Sequence, residues 1–191
     1  MAVFALDIGQ TGDHTALAVL VPEPGGLLVS HIERIPLGER YARMTFHVAE
    51  AARIYTTAGH RVVVAVDRTG VGRPIVEQLR AATSADEATT ILGITWTGGR
   101  RLGGAWPDIT VPRQHLIDAL ATVLEQRRLR VPPVLPAAGV LEAELHRYKA
   151  GHHLGDLAAA VGMAAWCANH LSATRVRLNI TRIATPDLEA L

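Results

Sequence analysis

The sequence predicts a single α/β domain built on a mixed β-sheet, with a three-strand antiparallel meander plus parallel strands, flanked by helices. Three observations carry that prediction. Residues 3–36 hold three apolar runs separated by short glycine-bearing turns, the pattern of consecutive hairpins. Arg61–Val66 is an unbroken apolar run, as in a strand buried on both faces, and it leads through Asp67-Arg68-Thr69-Gly70-Val71-Gly72 into a helix. From Gln114 onward the apolar residues recur mostly at helical spacing.

Each element has its own signal. Val3–Ile8 and Thr15–Leu20 flank a polar turn, and Pro22-Glu23-Pro24-Gly25-Gly26 makes a tight turn into a third strand over Gly26–Pro36. Tyr41–Ala58 sets Met44, Val48, Ala51, Ala52 and Tyr55 on one helical face, and Gly59 stops it. After the strand Arg61–Val66, Pro74 lies in the first turn of a helix running to about Ala82. Ile91–Thr95 is a short strand, and Gly98–Gly104 is a mobile loop rich in glycine and arginine. Val111-Pro112-Arg113 introduces a helix over Gln114–Gln126, Leu129–Val131 is extended, and Ala137–Tyr148 is helical. The loop Lys149–Gly155 leads into a last helix, Asp156–Leu171. The domain therefore takes in residues 1–172, and residues 173–191 read as a basic C-terminal tail.

A chain of 191 residues can bury a proper core, and 49% hydrophobic against 19% charged residues places it among folded chains. No apolar stretch reaches the ~20 residues of a membrane span. The N-terminus has no basic region ahead of its first strand, so no signal peptide is expected. The single cysteine, Cys167, excludes an internal disulfide and a cysteine-based zinc site, and suits a reducing cytoplasm. A net charge of +1 is low for a nucleic-acid binder. The basic residues are unevenly placed, however, and 18 of the 19 are arginine. They cluster at Arg100-Arg101, at Arg127-Arg128 with Arg130, at Arg147 with Lys149, and at Arg175, Arg177 and Arg182. Guanidinium forks suit phosphate, and solvated helix faces account for such clusters equally well.

Three aspartates stand at comparable places: Asp7 in the first strand, Asp67 at the end of the fourth, and Asp156 opening the last helix. Asp7 lies between Leu6 and Ile8, and a bare carboxylate in a strand core costs ~3–5 kcal/mol unless it is paired, hydrogen-bonded or metal-bound. Asp67 is at the carboxyl end of its strand, where ligands bind in open α/β sheets. Taken singly, Asp156 also fits a helix cap, and Asp67 and Asp13 also fit turn chemistry. In a mixed sheet the first and fourth strands can be neighbours, with a packed helix presenting its first turn over their ends. Three converging carboxylates repel one another unless cations neutralise them, and hard divalent ions with oxygen ligands, Mg²⁺ or Mn²⁺, are the natural solution.

At this point the residues resemble a known family. Leu6-Asp7-Ile8-Gly9 through Gly12-Asp13-His14-Thr15-Ala16 looks like a first acidic strand and its hairpin, and Val66-Asp67-Arg68-Thr69-Gly70-Val71-Gly72 with Leu79 like a second acidic motif. Val111-Pro112-Arg113 with Leu116, and Leu129-Arg130-Val131-Pro132, resemble a helix start and its closing strand. Glu144-Leu145 and His153-Leu154-Gly155-Asp156-Leu157-Ala158-Ala159-Ala160 resemble a final acidic helix. In order and spacing these segments, from about Val3 to Trp166, resemble the nuclease domain of the large terminase subunit of tailed bacteriophages, in the RNase H-like (retroviral integrase-like) superfamily.

The resemblance implies an RNase H-like fold and a metal-dependent endonuclease that cleaves double-stranded DNA during viral genome packaging. It implies Asp7, Asp67 and Asp156 as catalytic acids that bind metal, and Asp13 as an accessory acid near the second ion. Hydrolysis would use two ions ~3.5–4 Å apart with Asp7 between them. Many members have an acid before the last aspartate, where this chain has Gly155, and His152 or His153 could compensate. Arg100 and Arg101 are the first candidates for guiding DNA, with Arg68, Arg147 and Lys149 as further phosphate contacts. The implied partners are double-stranded DNA, an ATPase motor domain, a small terminase subunit and a portal. A monomer in the host cell cytoplasm, without membrane, is expected. No Gly-x-x-x-x-Gly-Lys-Ser/Thr loop occurs, so the chain is no P-loop motor; it is an excised domain or a lone nuclease-like subunit. A Holliday-junction resolvase-like nuclease and a non-cleaving RNase H-like module that binds DNA or portal are the alternatives. A sugar- or acetate-kinase-like ATPase fits poorly, because it needs two related domains.

Overall fold

In the computed structural model, which describes residues 1–9, 12–149 and 153–183, with side chains as far as residue 171, eight strands form one mixed sheet. In chain order these are β1 (Ala2–Asp7), β2 (Thr15–Glu23), β3 (Gly26–Ile35), β4 (Val62–Asp67), β5 (Thr89–Thr97), β6 (Gly103–Ala105), β7 (Asp108–Pro112) and β8 (Leu129–Arg130). The spatial order is β6-β7-β5-β4-β1-β2-β3-β8. β1, β2 and β3 are the expected antiparallel meander. β4 adds parallel to β1, and β5 and β7 continue that parallel half. The mixed sheet predicted from the sequence is therefore the sheet observed.

Side chains alternate across a strand, so each strand serves two cores. Ala2, Phe4 and Leu6 of β1 point into one core with Val62, Val64 and Val66 of β4. That core is closed by α1 (Tyr41–Thr57) and α2 (Gly72–Ala82) through Met44, Val48, Ala52, Ile75, Val76 and Leu79. Val3 and Ala5, with Val63 and Ala65, point the other way, towards α3 (Arg113–Glu125), α4 (Ala138–Lys149) and α5 (Asp156–Ile183). Asp7 and Asp67 are the next members of this second series.

α5 has no polar face in its first three turns. Leu157, Ala158, Ala160, Val161, Met163, Ala164 and Ala165 are all fully buried, as expected of a helix that is apolar all round. It packs on β1 and β2 from one side and on α3 and α4 from the other. Its small residues allow close approach; a Cβ on Gly162 would lie 2.8 Å from the Leu116 side chain of α3. Each fully buried Leu or Met contributes about 1.5–3 kcal/mol. Cys167 is buried here too, and burial pushes its thiol pKa up, so it is held as an unreactive thiol.

Three elements differ from the sequence expectation. Asp108–Pro112, whose end reads in the sequence only as the lead into a helix, is the strand β7 and pairs parallel with β5. Gly103–Ala105, expected within a loop, forms β6 and pairs antiparallel with β7. All three of its residues are exposed, so no apolar alternation marks it. The last helix does not stop at Leu171 but continues to Ile183, giving helical backbone to the first part of the expected tail; residues 184–191 lie outside the described residues. No helix among the described residues is long and apolar enough to cross a membrane.

Candidate active site

Strand register sets the acids side by side. β1 and β4 run parallel with Leu6 opposite Val66, so Asp7 and Asp67 end neighbouring strands about 4.8 Å apart, on the α5 face. On the other side of β1, Asp7 pairs with Ala16 of β2, and Ala16 pairs with Arg34 of β3. Asp67, Asp7, Ala16 and Arg34 therefore form a row across four strands. Ala16, between the acid and the arginine, contributes only a buried methyl group. Asp156, the first residue of α5, reaches Arg34 at 3.9 Å.

The turn after β4 is fixed by its own hydrogen bonds. The Thr69 backbone N–H donates to Asp67 Oδ1 at 2.7 Å, and the Trp96 N–H donates to Thr69 Oγ1 at 3.2 Å. α2 starts so close to this turn that a Cβ on Gly72 would lie 1.7 Å from the Asp67 carbonyl oxygen. Gly72→Ala is therefore expected to push the end of β4 away and to destabilise the fold by about 1–3 kcal/mol. Urea unfolding checks this, and an unchanged midpoint would show that the turn yields freely.

The three acids share an electrostatic environment. Burial first, and then the charges of Asp67, Asp156 and Glu144 against the pull of Arg113, together push the Asp7 pKa up to about 7. Burial also raises Asp67, against its hydrogen bonds with Thr69 and the Arg113 charge. Asp156 is raised by burial first; Arg34 opposes this, while Glu144 and Asp13 add to it. Asp7 is thus the acid that senses both of the others. Carboxylates that hold protons so strongly lack sufficient positive charge nearby.

The donor set suits a hard divalent cation, with oxygen atoms from Asp7 and Asp67 facing a common cavity of about 390 Å³. Thr69, Trp96, Gly98 and Arg113 also line it. Among the described residues, however, no three carboxylate, imidazole or thiol groups close around a single point. The arrangement is a facing pair, Asp7 and Asp67, with Asp156 beyond Asp7. A larger groove of about 1060 Å³ between α3 and α4 is lined mainly by apolar residues and contains none of these aspartates.

The other residues named from the sequence fall into three groups. Asp13 lies close enough to Asp156 to raise its pKa. Arg100 and Arg101 are exposed in the loop after β5, whose Thr97 and Gly98 line the cavity of the acids. Arg147 and Lys149 are exposed in the last turn of α4, and His153 is exposed ahead of α5. Arg68 is instead mostly buried, with its guanidinium 2.8 Å from Asp108, a residue that Arg80 also grips at 2.7 Å. His152 lies outside the described residues.

No family model matches the chain, and no curated protein matches it. Solved structures do. The Mn-soaked human cytomegalovirus terminase nuclease domain superposes with a TM-score of 0.64 over 91% of this chain and 86% of that one, at 10% identity. The large terminase nuclease from thermophilic phage G20c gives 0.57 over 86% of this chain and 80% of that one, at 17% identity. This chain has the fold of a terminase nuclease domain. The RNase H-like sheet expected from the sequence is thereby shown. The large terminase from another thermophilic bacteriophage is matched at 0.51 over 84% of this chain, at 11% identity, and the nuclease-domain fold covers 34% of that longer protein.

Within this nuclease-domain fold, three residues belong to the site that the sequence did not single out. Arg113 opens α3, lines the cavity, and holds down the pKa of both Asp7 and Asp67, yet forms no ion pair among the described residues. Its signal was the Val111-Pro112-Arg113 segment, read only as a helix start. Arg34 and Glu144 meet beside Asp156; Glu144 enters the sequence reading only within the segment that resembles a final acidic helix, and nothing in the local sequence announces Arg34.

Proposed function

We propose that this chain is a metal-dependent DNA endonuclease of the kind that cuts double-stranded DNA during viral genome packaging. The observation that carries this reading is the facing pair Asp7–Asp67 beside Arg113, which forms no ion pair among the described residues, on a fold shared with terminase nuclease domains, one of them soaked with Mn. Asp7 and Asp67 would hold one Mg²⁺ or Mn²⁺ ion, and Asp7 with Asp156 and Asp13 a second. When bound, such ions supply a water of lowered pKa and stabilise the departing 3′-oxygen.

The remaining chemistry belongs to the chain. Arg113 faces the place where a phosphodiester would lie over the acids, and its guanidinium can donate to a non-bridging phosphate oxygen as negative charge develops there. Arg100 and Arg101, exposed two and three residues beyond the cavity-lining Gly98, suit contacts to the phosphate backbone, which carry no base information and weaken with salt. Arg68 holds the β4–β5 end of the sheet through Asp108. The motor, small-subunit and portal partners, and work in a host cytoplasm, follow from the same reading.

Incubation of supercoiled plasmid with Mn²⁺ tests this. Nicked and linear products are expected with Mn²⁺ and none with a chelator. Binding without any cleavage would favour the DNA- or portal-binding module instead. Preference for four-way junctions over plain duplex would favour the resolvase reading. Arg113→Ala is expected to lower kcat by roughly tenfold to a hundredfold or more while leaving duplex affinity nearly unchanged. An equal loss in binding would move Arg113 from the reacting phosphate to general DNA attraction.

A further inference from the structure

α5 begins without a capping side chain of its own. Its N-cap position is Gly155, whose carbonyl accepts the first helical bond from Ala159 at 2.8 Å. The cap comes from α4 instead. Glu144 Oε2 accepts the Ala158 backbone N–H at 2.9 Å, the bond that an N-cap carboxylate at residue 155 would ordinarily accept. A Cβ on Gly155 would lie 2.3 Å from Glu144 Cδ and 2.5 Å from Oε2, so the glutamate carboxyl occupies the space of the missing side chain.

This carboxylate is almost wholly buried, at 1% exposure. Burying an acid is costly unless its partners are fixed, and a short side chain at residue 155 could cap the helix from the surface. The partners of Glu144 offset that cost. Its Oε1 accepts from Arg34 Nη2 at 2.5 Å, and the same Nη2 stands 3.9 Å from Asp156 Oδ2. The Arg34 Nε is buried with no hydrogen-bond partner, so this guanidinium is held by the acids at its tip. One carboxylate thus fixes both the helix start that carries Asp156 and the cation that faces it.

We infer that Glu144 and Arg34 form a positioning pair that sets Asp156 for divalent-cation binding, with Glu144 acting from α4 in the place of a side chain at residue 155. This inference rests on the nuclease reading above, and its test separates the two. Mn²⁺ affinity is measured calorimetrically on folded wild type, Glu144→Gln, Glu144→Ala, Gly155→Asp, and the double variant Glu144→Ala with Gly155→Asp. Melting temperatures are recorded for each protein.

Loss of such a supporting contact typically weakens metal binding by 10–100-fold. That loss is expected for Glu144→Ala and, with side-chain volume retained, for Glu144→Gln. The double variant returns a carboxylate to the α5 cap and is expected to recover affinity to within several-fold of wild type. Gly155→Asp alone collides with Glu144 and is expected to lower the melting temperature. If the Glu144 variants melt earlier but bind Mn²⁺ as tightly as wild type, Glu144 is only a helix cap and the inference is overturned. A double variant no better than Glu144→Ala also overturns the substitution in space. If wild type itself fails to bind Mn²⁺, the nuclease reading fails, and this inference with it.

Discussion

Asp7→Asn is expected to abolish metal-dependent cleavage and, at pH 8 without metal, to make the protein more stable than wild type. Both effects have one cause. Asp7 ends a central strand, its neighbours Leu6 and Ile8 are buried, and it senses the charges of Asp67 and Asp156. An asparagine keeps the shape but carries no charge, so burial and repulsion cease to oppose folding. The same loss removes the ligand shared by both proposed cation positions. Cleavage is expected to fall by at least about a thousandfold, more than 4 kcal/mol of transition-state stabilisation. Plasmid assays and thermal melts on the same preparations check the pair of outcomes. Cleavage surviving at more than a few per cent would remove Asp7 from the site, and a lower melting temperature would remove the buried-charge account.

The second large effect is a dependence of stability on pH. The Asp7 pKa is about 7 in the folded chain against 3.8 for the ordinary group, so between these values the folded state binds the proton more tightly than the unfolded one. Stability must then fall as pH rises through that window, with the full penalty present above pH 7. Three pKa units correspond to about 4 kcal/mol, roughly 8–16 °C in melting temperature for a chain of this size. The raised pKa values of Asp67 and Asp156 act with the same sign. Divalent cations compete with these protons, so Mn²⁺ is expected to raise the melting temperature strongly at pH 8 and little at pH 5. Wild-type melts without metal that are flat from pH 5 to 8 would contradict this.

The parts of the site that were legible in the sequence are those with a local signature. Asp7 and Asp67 each interrupt or end an apolar run, and Asp156 opens an apolar helix, so each stands out within a few residues. Arg34 does not, and Glu144 is legible only as part of a segment resembling a final acidic helix, without its partner. Arg34 lies in an ordinary strand of alternating character, and its partner is 110 residues away. Their association depends on β3 lying two strands from β1 and on α4 crossing the start of α5. β6 was illegible for a different reason: its residues are exposed and pair through backbone alone, so no side-chain pattern marks them. Arg68 looked like an open phosphate contact because it follows Asp67, whereas the parallel pairing of β5 and β7 brings Asp108 to meet it.

β1 is hydrogen-bonded along both edges, to β2 and to β4, and joins the antiparallel and parallel halves of the sheet. Its amides are therefore expected to exchange with solvent slowly, as those of a central strand, and Asp7 and Asp67 are mounted in the interior of the sheet. The outer strands, β6 at one edge and β8 at the other, are only a few residues long. Those margins lie several strands from the pair of acids, so changes of length there are expected to leave Asp7 and Asp67 in register.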